Sequence, residues 1–146
     1  MIIAIGCDPN AAKLKKVLIS ACETLGHKVL DMGSDDVIYA NTAFRVAETV
    51  VSGEANRGVL ICGTGIGMSI AANKVKGAYA ALIADVYSAQ RASLSNNANI
   101  ACFGAFTLGE KLAVELLKTW LVLDFNEASD SAPKVARYKE YDRSRG

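Results

Sequence analysis

Along this chain, short runs of consecutive apolar residues alternate with stretches in which apolar residues recur every three or four positions. Residues 2–7 (IIAIGC), 25–33 (LGHKVLDMG), 57–62 (RGVLIC), 78–85 (AYAALIAD) and 99–106 (NIACFGAF) read as strands. Between them, Leu14, Val17, Leu18, Ala21, Cys22 and Leu25 keep helical spacing. So do Ala43, Val46, Ala47 and Val50, with Asn41 placed to cap their helix. Residues 87–94 continue the pattern after the fourth strand. Thr107 and Glu110 have the spacing of a capping box, ahead of a long helix expected to turn Leu112, Leu116, Trp120 and Leu121 inward.

Near-continuous apolar strands such as GVLIC suit a parallel sheet buried on both faces. Strand–helix alternation repeated along the chain then predicts an α/β three-layer sandwich, doubly wound around a five-stranded parallel sheet. The chain reads as a single domain, 1–146, with an α/β core over 1–124 and a C-terminal extension over 125–146. The tail KVARYKEYDRSRG predicts a polar helix that the core plan does not need, so it is expected to lie on a partner subunit or to fray.

Composition narrows the function. Hydrophobic residues make up 51% of the chain, and 16 Lys+Arg against 15 Asp+Glu give a net charge of +1. That balance offers no attraction for nucleic acid or an anionic membrane. The first apolar stretch meets Asp8 too early for a signal peptide, and no run approaches the ~18 apolar residues of a membrane span. A soluble, cytoplasmic protein is expected. Cys7, Cys22, Cys62 and Cys102 form no CxxC pair and read as reduced thiols. With His27 the single histidine, no metal site is expected.

In sheets of this kind ligands gather at the carboxyl ends of the strands. Those ends carry Cys7 and Asp8, the loop around Asp35, Cys62 with its glycines, Asp85, and Phe103 with Gly104. The turn Ser95-Asn96-Asn97 is expected to return to the same rim. The loop Cys62-Gly63-Thr64-Gly65-Ile66-Gly67 lacks the Gly-Lys-Ser/Thr of a Walker A motif, since Met68 follows its last glycine. It also lacks the spacing and first-strand position of a dinucleotide fingerprint. What remains is either a tight strand-to-helix turn or a set of backbone N–H groups converging on an anion.

Cys62 differs from the other cysteines, which read as core residues, in standing before a helix N-terminus that favours a thiolate. It also neighbours donors suited to a developing oxyanion. His27 enters the second strand at the opposite edge of the sheet, so no Cys/His dyad is expected. The remaining chemistry is a thiolate moving a proton while loop amides hold an enediolate. Asp8 and Asp85 fit turn or cap roles as well as a site. The polar run 95–99 could donate amide hydrogens to an oxyanion or a sugar hydroxyl, or simply cap a helix.

Taken together, these residues resemble the ribose-5-phosphate isomerase B / galactose-6-phosphate isomerase family over nearly the whole chain. The resemblance is carried by Gly6-Cys7-Asp8, Ser52-Gly53-Glu54-Ala55, Ile61 through Gly67, Ala71-Ala72-Asn73-Lys74 and Asn96-Asn97-Ala98-Asn99. It implies a Rossmann-like sandwich, a homodimer or dimer of dimers, active sites at the subunit interface, and no cofactor. It further implies that Cys62 is the base moving hydrogen between C1 and C2. The amides of Gly63, Thr64, Gly65, Ile66 and Gly67, with Asn96, would form the anion hole. Thr64 would handle a substrate oxygen, Asp8 would bind substrate hydroxyls, and Tyr39 and Asn97 would contact substrate.

The chain also departs from that pattern. Pro9 stands where the family usually has a histidine after its first aspartate, and Ser95 where many members have another. The usual phosphate-binding arginines fall at Phe106, Asp130 and Lys134, so Lys134 alone keeps the positive charge, with Arg137 or Arg91 as substitutes. Tyr39-Ala40-Asn41 and the stretch from Tyr87 to Ala98 resemble the tetrulose-phosphate isomerase branch. The function implied is a cofactor-independent aldose–ketose isomerase favouring D-erythrulose 4-phosphate and D-erythrose 4-phosphate. A ribose 5-phosphate isomerase is the alternative, as is a non-catalytic sugar-phosphate-binding subunit. The intact loop and Cys62 argue against the last, because a binding module needs no base.

Overall fold

The computed structural model describes all of residues 1–146. Strands β1 (Ile2–Cys7), β2 (Lys28–Asp31), β3 (Arg57–Cys62), β4 (Ala80–Leu82) and β5 (Ile100–Gly104) are parallel and lie in the order β2-β1-β3-β5-β4. The helices are α1 (Ala12–Thr24), α2 (Tyr39–Val51), α3 (Ile66–Ala72), α4 (Val86–Leu94), α5 (Glu110–Leu121) and α6 (Ala132–Ser144). Apolar residues of α1, α4 and α5 pack with Ile3, Ile5, Val59, Ile61 and Phe103 on one face of the sheet. Those of α2 and α3 pack with Ala4, Leu60, Cys62, Ile100 and Cys102 on the other. The doubly wound three-layer sandwich expected from the sequence is the one observed. No helix is long and apolar enough to cross a membrane.

The central strands β1, β3 and β5 are buried on both faces, which accounts for their unbroken apolar runs. The edge strands are shorter than the 25–33 and 78–85 read from the sequence. Each has one neighbour to pair with, and β4 keeps only Ala80, Ala81 and Leu82 in register with β5. Gly6 and Gly58 let α2 lie close on the sheet, since a Cβ at Gly58 would come 2.8 Å from Val46 Cγ1.

Three local expectations are corrected. Asn41 does not cap α2 but sits inside it; the cap position is Ile38, which makes no side-chain capping bond, and Asp36 just ahead of the helix accepts from the Ile38 N–H (2.8 Å) and from the Asn41 side chain (3.1 Å). Thr107 and Glu110 form no capping box. The α5 cap position is Gly109, Thr107 Oγ1 donates to the Gly104 carbonyl (3.3 Å), and Glu110 pairs with Lys13 (3.4 Å). Leu112 is 43% exposed, and Ala113, Leu116, Leu117, Trp120 and Leu121 form the buried stripe instead. Asp85 does cap α4, accepting from the Ser88 N–H and hydroxyl, and these bonds hold its carboxyl below the usual range.

The C-terminal helix does not fray. It docks across the amino end of β4 on its own chain, burying Val135 and setting Tyr138 against Tyr79 at 5.3 Å between ring centroids. Asp142 accepts from the Gly77 N–H (2.7 Å) and the Tyr79 hydroxyl (3.0 Å), and it pairs with Arg145. Burial opposes charge on Asp142, but these donors outweigh it and hold the carboxyl below its ordinary value. On the other side of the fold, Arg57 pins the end of α5 by donating to the carbonyls of Trp120 and Leu123, both at 2.7 Å.

Candidate active site

At the carboxyl rim, β3 ends in Cys62, 4% exposed, and the chain turns through the glycine loop into α3. The loop is laced to the end of β5. The Ala105 N–H donates to the Cys62 carbonyl and the Phe106 N–H to that of Gly63, each at 2.8 Å. Gly65 takes φ +80°, and a Cβ there would lie 2.6 Å from Leu82 Cδ1 and 3.0 Å from the Phe103 carbonyl carbon. Both the conformation and the close approach require glycine. The turn aims the Gly65 N–H at Cys62 Sγ, 3.1 Å away, while Thr64 Oγ1 accepts from the Ile66 N–H at 3.2 Å.

Of the four cysteines, Cys62 alone accepts a backbone N–H. Burial pushes Cys7 and Cys22 up to about 11, and burial followed by the neighbouring Cys62 raises Cys102 further. Those three thiols stay protonated at neutral pH, in keeping with their reading as core residues.

Side chains wall the loop. The Tyr39 hydroxyl, at the start of α2, occupies the space a Cβ at Gly67 would need. The Phe106 ring lies over Gly63, where a Cβ would come within 2.8 Å of it. Phe106 is 73% exposed, so this placement is not core packing. Phe106 and Leu82 were not recognised from the sequence as loop neighbours. The available signal was the glycines themselves, each of which excludes a Cβ because something lies against it. Asp8 closes the rim. Its N–H donates to the Ile61 carbonyl (2.9 Å), and one carboxylate oxygen accepts from the Asn10 N–H (2.6 Å), the turn role anticipated for it.

Asn96 and Asn97 lie elsewhere. The Asn99 carbonyl accepts from the Gly58 N–H (2.9 Å), which puts the 95–99 turn at the amino ends of the strands. Its expected return to the Cys62 rim is corrected, and the reason is topological. A helix joining two parallel strands runs back against them, so α4 ends at the amino rim. From Gly58 to Cys62 is four residues of strand, about 13 Å. Asn97 holds φ 53°, a conformation asparagine tolerates, and the Asn96 carbonyl accepts from the Tyr138 hydroxyl. Lys134 and Arg137 are exposed on α6 at this same rim, Arg137 pairing with Glu140 at 3.2 Å.

The candidate residues therefore fall into two groups. Asp8, Tyr39 and Cys62 through Gly67 share the carboxyl rim, whereas Asn96, Asn97, Lys134 and Arg137 share the amino rim. His27 joins neither group. It sits at the amino end of the edge strand β2, with Nδ1 3.0 Å from the N-terminal amine. Burial, then that amine and Arg57, lower its pKa. Within one chain the carboxyl rim offers a sheltered thiol, backbone N–H groups from a glycine turn, and the Asp8 carboxylate at the end of the neighbouring strand β1.

The Ribose/Galactose Isomerase family matches residues 3–138. The chain is 54% identical over 142 residues to "D-erythrulose-4-phosphate isomerase 2" of Mycolicibacterium smegmatis, covering 91% of each protein. It is 46% identical over 146 residues to "Ribose-5-P isomerase B" of Listeria innocua, covering 98% of each. Among solved structures, the type B ribose 5-phosphate isomerase of Trypanosoma cruzi superposes with a TM-score of 0.93 at 36% identity, covering 99% of this chain and 100% of that one.

Proposed function

This chain belongs to the ribose/galactose isomerase family and is a sugar-phosphate isomerase interconverting aldoses and ketoses; we propose that its favoured pair is D-erythrulose 4-phosphate and D-erythrose 4-phosphate. The observation that carries the substrate choice is the absence of an imidazole at the carboxyl rim. Pro9 follows Asp8 there, Ser95 lies at the other rim, and His27 is bound to the N-terminal amine. Ribose 5-phosphate arrives mainly as a closed ring and needs an acid–base group to open it before carbon chemistry begins. A tetrose 4-phosphate has no free hydroxyl able to close a five-membered ring, so it arrives open or hydrated. The name borne by the relative from Mycolicibacterium smegmatis supports this choice.

In this reading the Cys62 thiolate removes a proton from C1 of the ketose. The C1–H electron pair becomes the C1–C2 double bond, and the carbonyl electrons move onto O2. The N–H groups of Gly63, Thr64 and Gly67 solvate that oxyanion, while the Gly65 N–H stays on the Cys62 sulfur and the Ile66 N–H on Thr64 Oγ1. Thr64 passes a proton between O1 and O2, and the Cys62 thiol returns its proton to C2, giving the aldose. Asp8 binds the remaining hydroxyl and Tyr39 walls the chain. Only protons move, so no cofactor is required.

The division of candidate residues between two rims supports assembly as a homodimer or dimer of dimers. A two-fold axis can set the carboxyl rim of one copy against the amino rim of its partner, twice over. Asn96, Asn97, Lys134 and Arg137 would then complete a site built on the other chain's Cys62. Ile66 (51% exposed) and Ile70 (59%), one turn apart on α3 beside the loop, give such a partner an apolar surface to cover.

The test is a side-by-side measurement of kcat/KM for erythrulose 4-phosphate and ribose 5-phosphate at one pH. The tetrose should lead by about tenfold or more, roughly 1.4 kcal/mol of transition-state discrimination. If ribose 5-phosphate is turned over as well or better, the pentose reading replaces it.

A further inference from the structure

Beside the glycine loop stands an exposed aromatic ring that core packing does not account for. Phe106 follows β5 and belongs to neither hydrophobic cluster, although Ala105 and Leu108 around it pack against the cluster formed with α1, α4 and α5. Its backbone is fixed. The Phe106 N–H donates to the Gly63 carbonyl (2.8 Å), the Ala105 N–H to that of Cys62 (2.8 Å), and the Leu108 N–H closes the turn onto the Gly104 carbonyl (3.1 Å). Turn and loop also touch directly, since a Cβ at Gly104 would come 2.8 Å from the Thr64 carbonyl carbon and oxygen. The point from which the ring projects is therefore held at the loop.

A single apolar side chain on a surface needs no explanation. This one does, because a loop residue lacks a side chain where the ring lies. Gly63 does not take the left-handed conformation that Gly65 requires. What keeps a Cβ out at Gly63 is the ring: the three nearest atoms, at 2.8, 2.9 and 3.8 Å, all belong to Phe106. The other end of the loop repeats the arrangement. At Gly67, again without a positive φ, the three nearest atoms to a Cβ all belong to Tyr39. One aromatic ring thus stands over the first glycine of the loop and another over the last.

We propose that Phe106 sets the length of the substrate chain, admitting four carbons and disfavouring five. The inference rests on the function proposed above, in which the amides of Gly63, Thr64 and Gly67 hold the enediolate formed at C1 and C2. The rest of the chain extends from that anchor, and every added carbon takes up space between the two rings. A phenyl ring offers no hydrogen-bond donor or acceptor, so a hydroxyl pressed against it gives up water without gaining a partner. A fifth carbon, bearing its own hydroxyl, would have to displace the ring or leave that hydroxyl unpaired. A four-carbon chain keeps the apolar contact without that cost. The restriction is separate from ring opening, because it applies equally to sugars that are already open.

The experiment compares two open-chain ketoses. Ribulose 5-phosphate, like erythrulose 4-phosphate, has no free hydroxyl able to close a five-membered ring on its carbonyl, so the pair differs in length and not in any need for ring opening. kcat/KM for each is measured with the native protein, Phe106→Leu and Phe106→Ala. The native protein should favour erythrulose 4-phosphate by about tenfold or more. That ratio should shrink stepwise, about threefold in Phe106→Leu and about tenfold in Phe106→Ala, with the melting temperature unchanged because the ring lies outside the core. A ratio that stays fixed in Phe106→Ala overturns the proposal. So does a Phe106→Ala protein that sediments as a smaller oligomer than the native one, which would make the ring an interface anchor. If the native protein treats both ketoses alike yet prefers erythrulose 4-phosphate to ribose 5-phosphate, the length wall fails while the tetrose assignment stands. If the native protein prefers the pentose phosphates throughout, the tetrose assignment fails as well.

Discussion

Mixing two disabled variants should restore activity, because Cys62 and Asn96 stand at opposite rims of the same sheet. The strand between them spans about 13 Å, with the 95–99 turn attached to Gly58 and the thiol at the far end of β3. A single chain cannot bring both to one small substrate. Cys62→Ala removes the proposed base and Asn96→Ala a proposed anion-hole donor, and each alone should lower turnover about a hundredfold. Co-refolding equal amounts gives about half heterodimers. Each heterodimer carries one site with both residues native and one lacking both, so the mixture should reach about a quarter of native activity. That is roughly twenty-five times the level of either variant, easily resolved in a coupled isomerase assay. Differently tagged chains allow the heterodimer to be isolated and assayed directly. Activity that stays at the level of the separate variants would refute a site shared between chains.

Two further outcomes follow from contacts in the fold. Arg57→Leu should destabilise the chain by roughly 1–3 kcal/mol, because it leaves the Leu123 carbonyl without its donor while the Trp120 carbonyl keeps only the Ser93 hydroxyl; an unchanged denaturation midpoint would show the clamp to be idle. Asp142 is held below its ordinary carboxyl value, so its contribution to docking α6 is complete above about pH 5 and is lost as pH falls through the folded value. The near-ultraviolet signal of the Tyr79–Tyr138 pair should therefore decay on acidification below about pH 4, and Asp142→Asn should weaken that signal even at neutral pH.

Most of the sheet was legible because burial on both faces of β1, β3 and β5 writes itself as unbroken apolar runs. The edges were less so, since β2 and β4 pair on one side only and their apolar flanks continue into turns. The helix starts failed for a different reason. Whether Asn41 or Ile38, Thr107 or Gly109, stands at a cap depends on where the backbone bends, and several polar residues near each start satisfy the same pattern. The Cys62 loop stood out because glycine at Gly65 is a backbone necessity rather than a preference. The placement of Asn96 was recoverable in principle, since parallel strands force the intervening helix back to the amino rim. The docking of α6 was not. It rests on Asp142 meeting Tyr79 and Gly77, pairings more than sixty residues apart that no local pattern announces.

Cys62 as the base is the claim on which the rest depends, and solvent exchange tests it without reference to the equilibrium position. Erythrulose 4-phosphate is incubated in D₂O with native protein or with Cys62→Ala, and its C1 proton signal is followed by NMR. The native protein should exchange a C1 proton for deuterium as the enediolate forms and reverts. Cys62→Ala should slow that exchange by about a hundredfold or more while keeping the native melting temperature. Exchange at the native rate in Cys62→Ala would contradict the account.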